Sequence, residues 1–520
     1  MERGNLSTKD YIKFQLNGHS IEKASRALPG DYVEALNGEV TSILTRSPFH
    51  QHIVGVLEVA AKARYGFTPR GIPIYLFIPW NEAYPPFYVG SSHKDTSKNL
   101  LAAIQFESWL PGTNCPRGSV ERIIGVSGTQ AAEEEGLLIH ACPYPWKKGV
   151  VAGTPLVTPV ISPTTTTAFH VDPPGCRDID DALTISLDGD VADIQIHIAD
   201  VAAVLALNPW LNHAANIGQT IYKDGVIQIG MFPVAVEEAC SLLPGTTRNA
   251  LTLRVKWDLT SGTQVGEPQW INGSIRVTES YTYDTIVASD RAPLLRQITS
   301  SIAKRDLDDA HDWIAELMIL YNTTAAQALQ RGALGILRRH APPAAQPATP
   351  LLLPKYMSYK AGEYCSPDGD DVNHWGLQKG VYCHASSPIR RWADCINQLS
   401  LKRILGTEVT IPDISIEGLN LAGKRVRAYE RDIFFVNALL GGEQEIDGVV
   451  IQVVAGGPKA RIWVPAWNRI ITIRNSDLEK SEPGENVRGR VFVQTGQRNW
   501  KRRIVFELTR SEKLIAAGGP

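Results

Sequence analysis

Short apolar runs, broken at close intervals by glycine, proline and asparagine, set the tightest limit on how this chain can fold. DYVEAL (31–36), HIVGVLEVAAKARYGF (52–67) and IPIYLFIPW (72–80) are strand-like, and alternating segments continue through 101–140. Strands this short and this closely spaced cannot build a large sheet. They suit small closed barrels, and the first 150 residues have room for two, over 1–85 and 86–150. The same texture returns at the other end in DGVVIQVV, ARIWVPAW, VRGRVFVQ and RRIVFEL, predicting a further barrel over 443–520.

Between the barrels, residues 151–442 carry a different pattern. ALTISL and ADIQIHIADV alternate as strands, whereas Leu307, Ala310, Ile314, Leu317, Tyr321, Ala325 and Ala328 recur at helical spacing. Two more helical stretches are predicted near 388–406 and 417–441. Segments 150–167 and 341–354 are rich in proline and read as linkers. The fold expected is therefore multidomain α+β, in keeping with 520 residues at roughly 100–200 per domain.

Composition excludes several classes. Hydrophobic residues at 43% and charged residues at 20% are those of a globular chain, not a disordered one. Seven cysteines without a CxxC pair give neither a disulfide scaffold nor a structural zinc site. No signal peptide and no long apolar span is visible, so the expectation is an intracellular protein, cytoplasmic or nuclear, with no membrane partner. The formal charge of −2 is uninformative, because it averages over local patches.

Two segments carry chemistry. HVDPPGCRDIDDAL places Asp172, Asp178, Asp180 and Asp181 within ten residues. Carboxylates so close repel one another unless cations neutralise them, and hard oxygen ligands suit Mg²⁺, with Mn²⁺ as an alternative. Two such ions could drive phosphodiester hydrolysis. An acidic loop of this kind is equally the pattern of a solvated turn or a Ca²⁺ site. The second segment, VYCHASSPIRRWADCINQLSLKRIL (381–405), predicts a helix starting at Pro388 with Ser386 or Ser387 as its cap. Arg390 and Arg391 then fall in the first turn, against the helix dipole, and call for an anion: a bound phosphate, or acidic side chains elsewhere in the fold.

A third feature is electrostatic. Lys459–Arg503 holds eleven Lys/Arg against four Asp/Glu, interleaved with Trp463, Trp467 and Trp500. Cations tracking phosphates and rings stacking on bases make a single-strand nucleic-acid platform. Core tryptophans beneath a solvated basic face would give the same pattern.

Taken together, these segments closely resemble the RNB family, the ribonuclease II and exosome-associated 3′→5′ exoribonucleases. The D-x5-D-x-D-D spacing matches at all four positions. HIADV (197–201), MFPVAVEEACSLLPGTTRNAL (231–251), HWGL (374–377), SPIRRWAD (387–394) and AYERD (428–432) continue the match in family order. RALPGDYVEAL (26–36) and the W-x5-CPRGSVERIIGVSG region (109–128) resemble the family's two cold-shock barrels, and the basic C-terminal stretch its S1 barrel. Only about 25 residues precede the first barrel match, so no PIN-type endonuclease domain is expected.

The resemblance implies two N-terminal OB-fold, cold-shock-like barrels, an RNB α/β catalytic domain and a C-terminal S1-like OB barrel. It implies Asp172, Asp178, Asp180 and Asp181 as the metal site, with Asp180 the indispensable carboxylate and Arg390 the clamp on the scissile phosphate. Tyr283 would position the terminal nucleotide, Tyr222 would lie in the 3′-end pocket, and Glu430 near the product end. Arg391, Arg461, Arg488, Lys501 and Arg502 are candidate RNA contacts, whereas His197 and His384 read as structural. Two departures stand out: the segment from Tyr283 to about Glu316 is shorter than the family's, and Ser386 replaces its usual threonine. The activity implied is Mg²⁺-dependent hydrolysis of single-stranded RNA to nucleoside 5′-monophosphates by a monomer, with DNA not the main substrate. The alternative is a catalytically silent RNA-binding protein on the same scaffold.

Overall fold

The computed structural model describes residues 1–47, 50–147, 153–161, 166–342, 361–454, 459–494 and 500–509. The protein is a multidomain α+β chain that divides into two compact units. Among the described residues, one holds those from Tyr144 to Val426, and the other gathers Met1–Pro143 with those from Arg427 onward.

At the heart of the first unit is a closed barrel of Thr167–Val171, Asp181–Asp188, Val191–Ala199, Thr247–Asp258 and Thr263–Tyr281. Its first strand runs parallel to its last, with Phe169 opposite Glu279, while the remaining pairings are antiparallel. The alternation legible in ADIQIHI turns Ile194, Ile196 and Ile198 inward. One hydrophobic cluster joins these residues to the helices Ala292–Ala303 and Ala310–Arg331 through Leu295, Ile298, Leu317 and Tyr321. A second joins Ala182, Ala199 and Ala250 to the helix Trp392–Ile404 through Trp392, Ile396 and Leu399. The expected single helical pattern across 295–340 is thus two helices, parted after Ala303 where Lys304 takes a left-handed conformation (φ 55°). The proline-rich entry is pinned rather than loose at Val157, whose N–H and C=O both bond the side chain of Asn208 at 3.0 and 2.7 Å. Most of the second linker, 343–354, lies outside the described residues.

In the other unit a single N-terminal barrel closes, not two. Ile53–Leu57, Ile74–Pro79, Phe87–Gly90, Leu100–Ser108 and Arg117–Val126 form it, and the helix Gln130–Ala141 follows. Pro85 and Pro86, where a boundary was expected, sit in the turn between two of its antiparallel strands. Residues 1–47 instead form two three-stranded sheets, Glu2–Asn5/Tyr32–Leu36/Glu39–Thr45 and Ser7–Thr8/Phe14–Leu16/His19–Ile21. Strands of two or three residues leave too few ladder bonds to close a barrel. The two sheets surround one small core that includes Leu6, Leu16, Ala27 and Val33.

The C-terminal region is an open OB-like half-barrel rather than a closed one. Its five strands are Gln444–Val454, Lys459–Val464, Arg469–Arg474, Asn486–Val493 and Ile504–Leu508. It is fastened to the N-terminal barrel by Arg503, which pairs with Glu133 of the helix Gln130–Ala141 at 2.6 Å, both side chains fully buried. The same guanidinium lies over the rings of Trp80 and Trp500.

Candidate active site

The carboxylate cluster forms where two strands of the larger barrel meet a loop. Asp172 follows the strand Thr167–Val171, and its N–H bonds the carbonyl of Tyr281 at 3.1 Å. Asp181 opens the next strand, so the Pro-Pro-Gly turn between them brings Asp178 and Asp180 to the same end. The Ile179 N–H bonds Ser241 Oγ at 2.9 Å, and that hydroxyl donates to the Arg177 carbonyl at 2.7 Å, which fixes the turn from beneath.

Asp180 is the centre of the arrangement. Only 2% of its surface is exposed. Its Oδ1 accepts the Ile389 N–H at 2.8 Å, and its Oδ2 lies 3.1 Å from Arg390 Nε, an ion-pair contact without hydrogen-bond alignment. Burial drives its carboxyl well above the usual range; Arg390 and the Ile389 N–H oppose this, and Asp178 and Asp181 reinforce it. Asp181 is pushed up too, by burial and then by Asp172. Arg390 is raised as well, for the opposite reason: burial lowers it, but Asp180, Tyr222, Asp181 and Asp178 together outweigh this. Its side chain is 47% exposed, so a charge held by carboxylates at one edge is open to solvent elsewhere.

Around this centre, Tyr222 donates its hydroxyl to Asp178, and His170 Nδ1 lies 2.9 Å from Asp172 Oδ2. Tyr283 begins the short helix Tyr283–Ile286; burial, then Asp181 and Asp172, raise its hydroxyl to about 12, which places it beside the cluster. Glu237, on the helix Val234–Cys240, is pushed to about 7 by burial and by Asp178. Neither His170 nor Glu237 stood out in the sequence, although both lie within or beside the quoted motifs. Cys176 completes the rim, its Sγ 3.5 Å from Asp178 Oδ1.

The arginine loop differs from its expected form. The helix starts at Trp392, not Pro388, and Arg391, not a serine, is its N-cap residue. Arg390 therefore lies in the turn before the helix, still at its positive end, and the anion that offsets this is the Asp180 carboxylate. Arg391 is already committed: its Nε and Nη2 bond Asp394 at 2.9 and 2.8 Å, and Asp394 also accepts the Ser387 N–H at 2.8 Å. Beneath the loop, a stripe of polar side chains on the helix is wholly buried. Asn397 bonds the backbone of Ile336 and His384; Gln398 bonds that of Ala199 and Ala202; Lys402 pairs with Asp200. On the helix Ala310–Arg331, Asn322 bonds Ala385 N–H, Ser386 Oγ and Tyr382 Oη. These positioning residues escaped the sequence reading because Asp, Asn, Gln and Lys on a helix normally mark its wet face. His197 is held between Thr184 and Thr252 inside the barrel, and His384 bonds Tyr364, in line with structural roles.

The remaining candidates lie in the other unit. Glu430 is exposed on its helix, its carboxyl raised by partial desolvation against the pull of Arg427 and Arg469. Arg461 is partly exposed on its strand, Arg488 pairs with Asp447, and Arg502 with Glu82. The side chain of Lys501 lies outside the described residues. Trp463 and Trp500 are buried and serve the core rather than an open stacking surface, whereas Trp467 is partly exposed and packs edge-on against Phe434 and Phe435.

Among the described residues no three His, Cys, Asp or Glu side chains converge tightly enough to hold a metal ion. The donor set nevertheless fits a hard divalent cation in kind. It consists of carboxylate oxygens, one of them buried without an aligned hydrogen bond, and of neighbouring acids whose mutual repulsion a cation would relieve.

The larger barrel thus carries four carboxylates at one end, the buried one of them faced by an arginine from the loop before the helix Trp392–Ile404. The chain belongs to the RNB family: an RNB domain matches residues 163–289 and 348–407, and a Dis3-like cold-shock domain 2 matches 74–142. The chain is 24% identical over 473 residues to the exosome complex exonuclease RRP44 homolog A of Arabidopsis thaliana, covering 71% of this chain and 50% of that one. It is 24% identical over 438 residues to exosome complex exonuclease RRP44 of Homo sapiens, covering 66% and 45%. It thus spans about half the length of these relatives. In fold it is similar to Mycoplasma genitalium RNase R in complex with ribose methylated single-stranded RNA, at a TM-score of 0.68 and 14% identity over 98% of this chain and 100% of the other. It is similar also to yeast Ssd1, a pseudonuclease, at 0.64 and 14% over 94% and 80%. Among the described residues no helix is long and apolar enough to cross a membrane.

Proposed function

We propose that this chain is a 3′→5′ exoribonuclease that shortens single-stranded RNA to nucleoside 5′-monophosphates within the cell. One observation carries the reading: Asp180 is buried and held by Ile389 N–H and Arg390, both from the SPIRR loop, with the other three carboxylates around it. Asp172, Asp178, Asp180 and Asp181 are the residues that would hold Mg²⁺ or Mn²⁺, which when bound activates water and neutralises developing charge.

The chain's own groups supply the rest. Hydrolysis breaks the last P–O3′ bond as a water oxygen joins phosphorus, releasing a 5′-monophosphate. Arg390, half exposed and permanently charged, can turn its free N–H groups to the phosphate oxygens where negative charge builds. Tyr222 orients Asp178 through its hydroxyl, and Tyr283 stands where a terminal base would lie beside the carboxylates. Glu430 and the cations Arg461, Arg488, Lys501 and Arg502 belong to the reading as more distant RNA contacts. Arg391 acts instead through the loop it braces.

The second reading, a silent RNA-binding protein, is favoured by the lack of a converged metal cluster among the described residues and by the likeness to a pseudonuclease. Incubation with 5′-labelled oligo(A), in Mg²⁺ or in EDTA, separates the two. A ladder or short limit product that EDTA and Asp180→Asn both abolish supports the exonuclease. Retention without shortening, or an Asp180→Asn variant that cuts at the wild-type rate, overturns it.

A further inference from the structure

The ring of Tyr283 is not alone. The imidazole of His311 lies flat upon it, centroids 3.7 Å apart and planes within 13°. Both partners are anchored by their own backbones. Thr282 and Thr285 cap the short helix that Tyr283 begins, each side chain bonding the other's N–H. His311 is the second residue of the helix Ala310–Arg331, whose cap Asp309 accepts the His311 N–H at 2.8 Å and its Nδ1 at 2.9 Å through one oxygen. A single carboxylate thus fixes both the main chain and the ring of His311. The imidazole in turn covers one face of Tyr283, whose ring is also partly buried against the hydrophobic cluster of the barrel and its helices. His311 is 64% exposed, so its burial in a core does not explain this geometry.

An aromatic ring has two faces, and His311 takes one of those of Tyr283. We infer that His311 is a positioning residue for the 3′-terminal nucleotide: together with the core cluster that Tyr283 packs against, it holds that ring in place, so that a base meets the part of the ring left exposed, beside Asp172 and Asp181. This rests on the reading of the site as an RNA 3′-end site. The energetic logic is pre-organisation, because a ring already held in its bound plane has no rotamer freedom left to lose when a base arrives.

The test compares His311→Ala, His311→Phe and Asp309→Asn using oligo(A) substrates and full-length protein. His311→Ala should raise KM about five- to tenfold, a fraction of a base–aromatic stack, while changing kcat less. His311→Phe, which restores a flat ring, should return KM to within about twofold of wild type, and Asp309→Asn should fall between the two. An unchanged KM for His311→Ala, or equal impairment by Ala and Phe, overturns the inference. If the wild type shortens no RNA, the exonuclease reading fails by itself. Fluorescence anisotropy of labelled oligo(A) then decides the inference, with the same order of affinities expected.

Discussion

Replacing Asp394 by Asn should unfasten the arginine loop without touching a carboxylate of the cluster. Asp394 is fully buried and accepts three hydrogen bonds, two from Arg391 and one from Ser387. An asparagine can keep the Ser387 bond through its carbonyl, but it turns an amide N–H₂ toward a guanidinium that needs an acceptor. Breaking a buried ion pair on one side costs about 3–5 kcal/mol. Arg391 keeps a quarter of its side chain in solvent and recovers part of this by hydration, which points to the low end, about 3 kcal/mol. Spent on local opening, that is roughly a hundredfold in the opening equilibrium. Hydrogen exchange read by mass spectrometry should therefore show a peptide spanning 382–394 exchanging about a hundredfold faster, with the barrel strand Val191–Ala199 as the unchanged internal reference. RNA turnover should fall at least about tenfold, because Ile389 and Arg390 lose the frame that aims them at Asp180. Exchange within threefold of wild type, with turnover intact, would refute the claim that the Asp394 bonds brace this loop.

Three further outcomes follow from buried ionisable groups. Lys402→Met leaves Asp200 unpaired at the end of the central strand and should destabilise the barrel unit by about 3–5 kcal/mol, while Lys402→Met with Asp200→Asn recovers much of it; urea midpoints of the two variants decide this. Arg503→Met strands Glu133 in the same way and should lower the melting temperature of the unit that holds this pair, whereas an unchanged melting profile would show that the pair contributes nothing. Burial lowers His197 to about 3, far below the unperturbed imidazole. A depressed folded-state value means full stability above about 6.5, lost as pH falls from there toward 3, so the difference in stability between wild type and His197→Gln should shift steadily against wild type across that window. A pH-independent difference would place the proton elsewhere.

The chemistry of the site was more legible than its support. Four aspartates at family spacing and one SPIRR loop identified the two segments that the fold brings together, because metal and phosphate chemistry tolerates few residue types. The buried stripe Asp394, Asn397, Gln398 and Lys402 was invisible, since each is polar; the partners of Gln398 and Lys402 lie about 200 positions away, and Asp394, though paired with its near neighbours Arg391 and Ser387, reads as an ordinary exposed helix acid. The number of N-terminal barrels was misjudged for a geometric reason. Strand texture is local, whereas closure depends on strand length and on which edges find partners, and before residue 47 three of the strands have only two or three residues and pair among themselves in a separate sheet. Likewise Trp463 and Trp500 share the basic composition of their surroundings but face inward, a distinction that residue type alone does not carry.

The pairing of Arg503 with Glu133 also bears on how the chain is made. The unit they fasten is assembled from both ends of this sequence, with the barrel unit of 144–426 interposed between them. During synthesis from the N-terminus, the cold-shock barrel emerges first, yet the cation that neutralises its buried Glu133 is translated 370 positions later. The barrel unit, whose strands and helices are all encoded by then, can fold while its neighbour waits. Such a contact of very long sequence separation is expected to form last and slowly. A ribosome stalled before Arg503 should hold a nascent chain whose barrel unit resists protease while the helix Gln130–Ala141 does not.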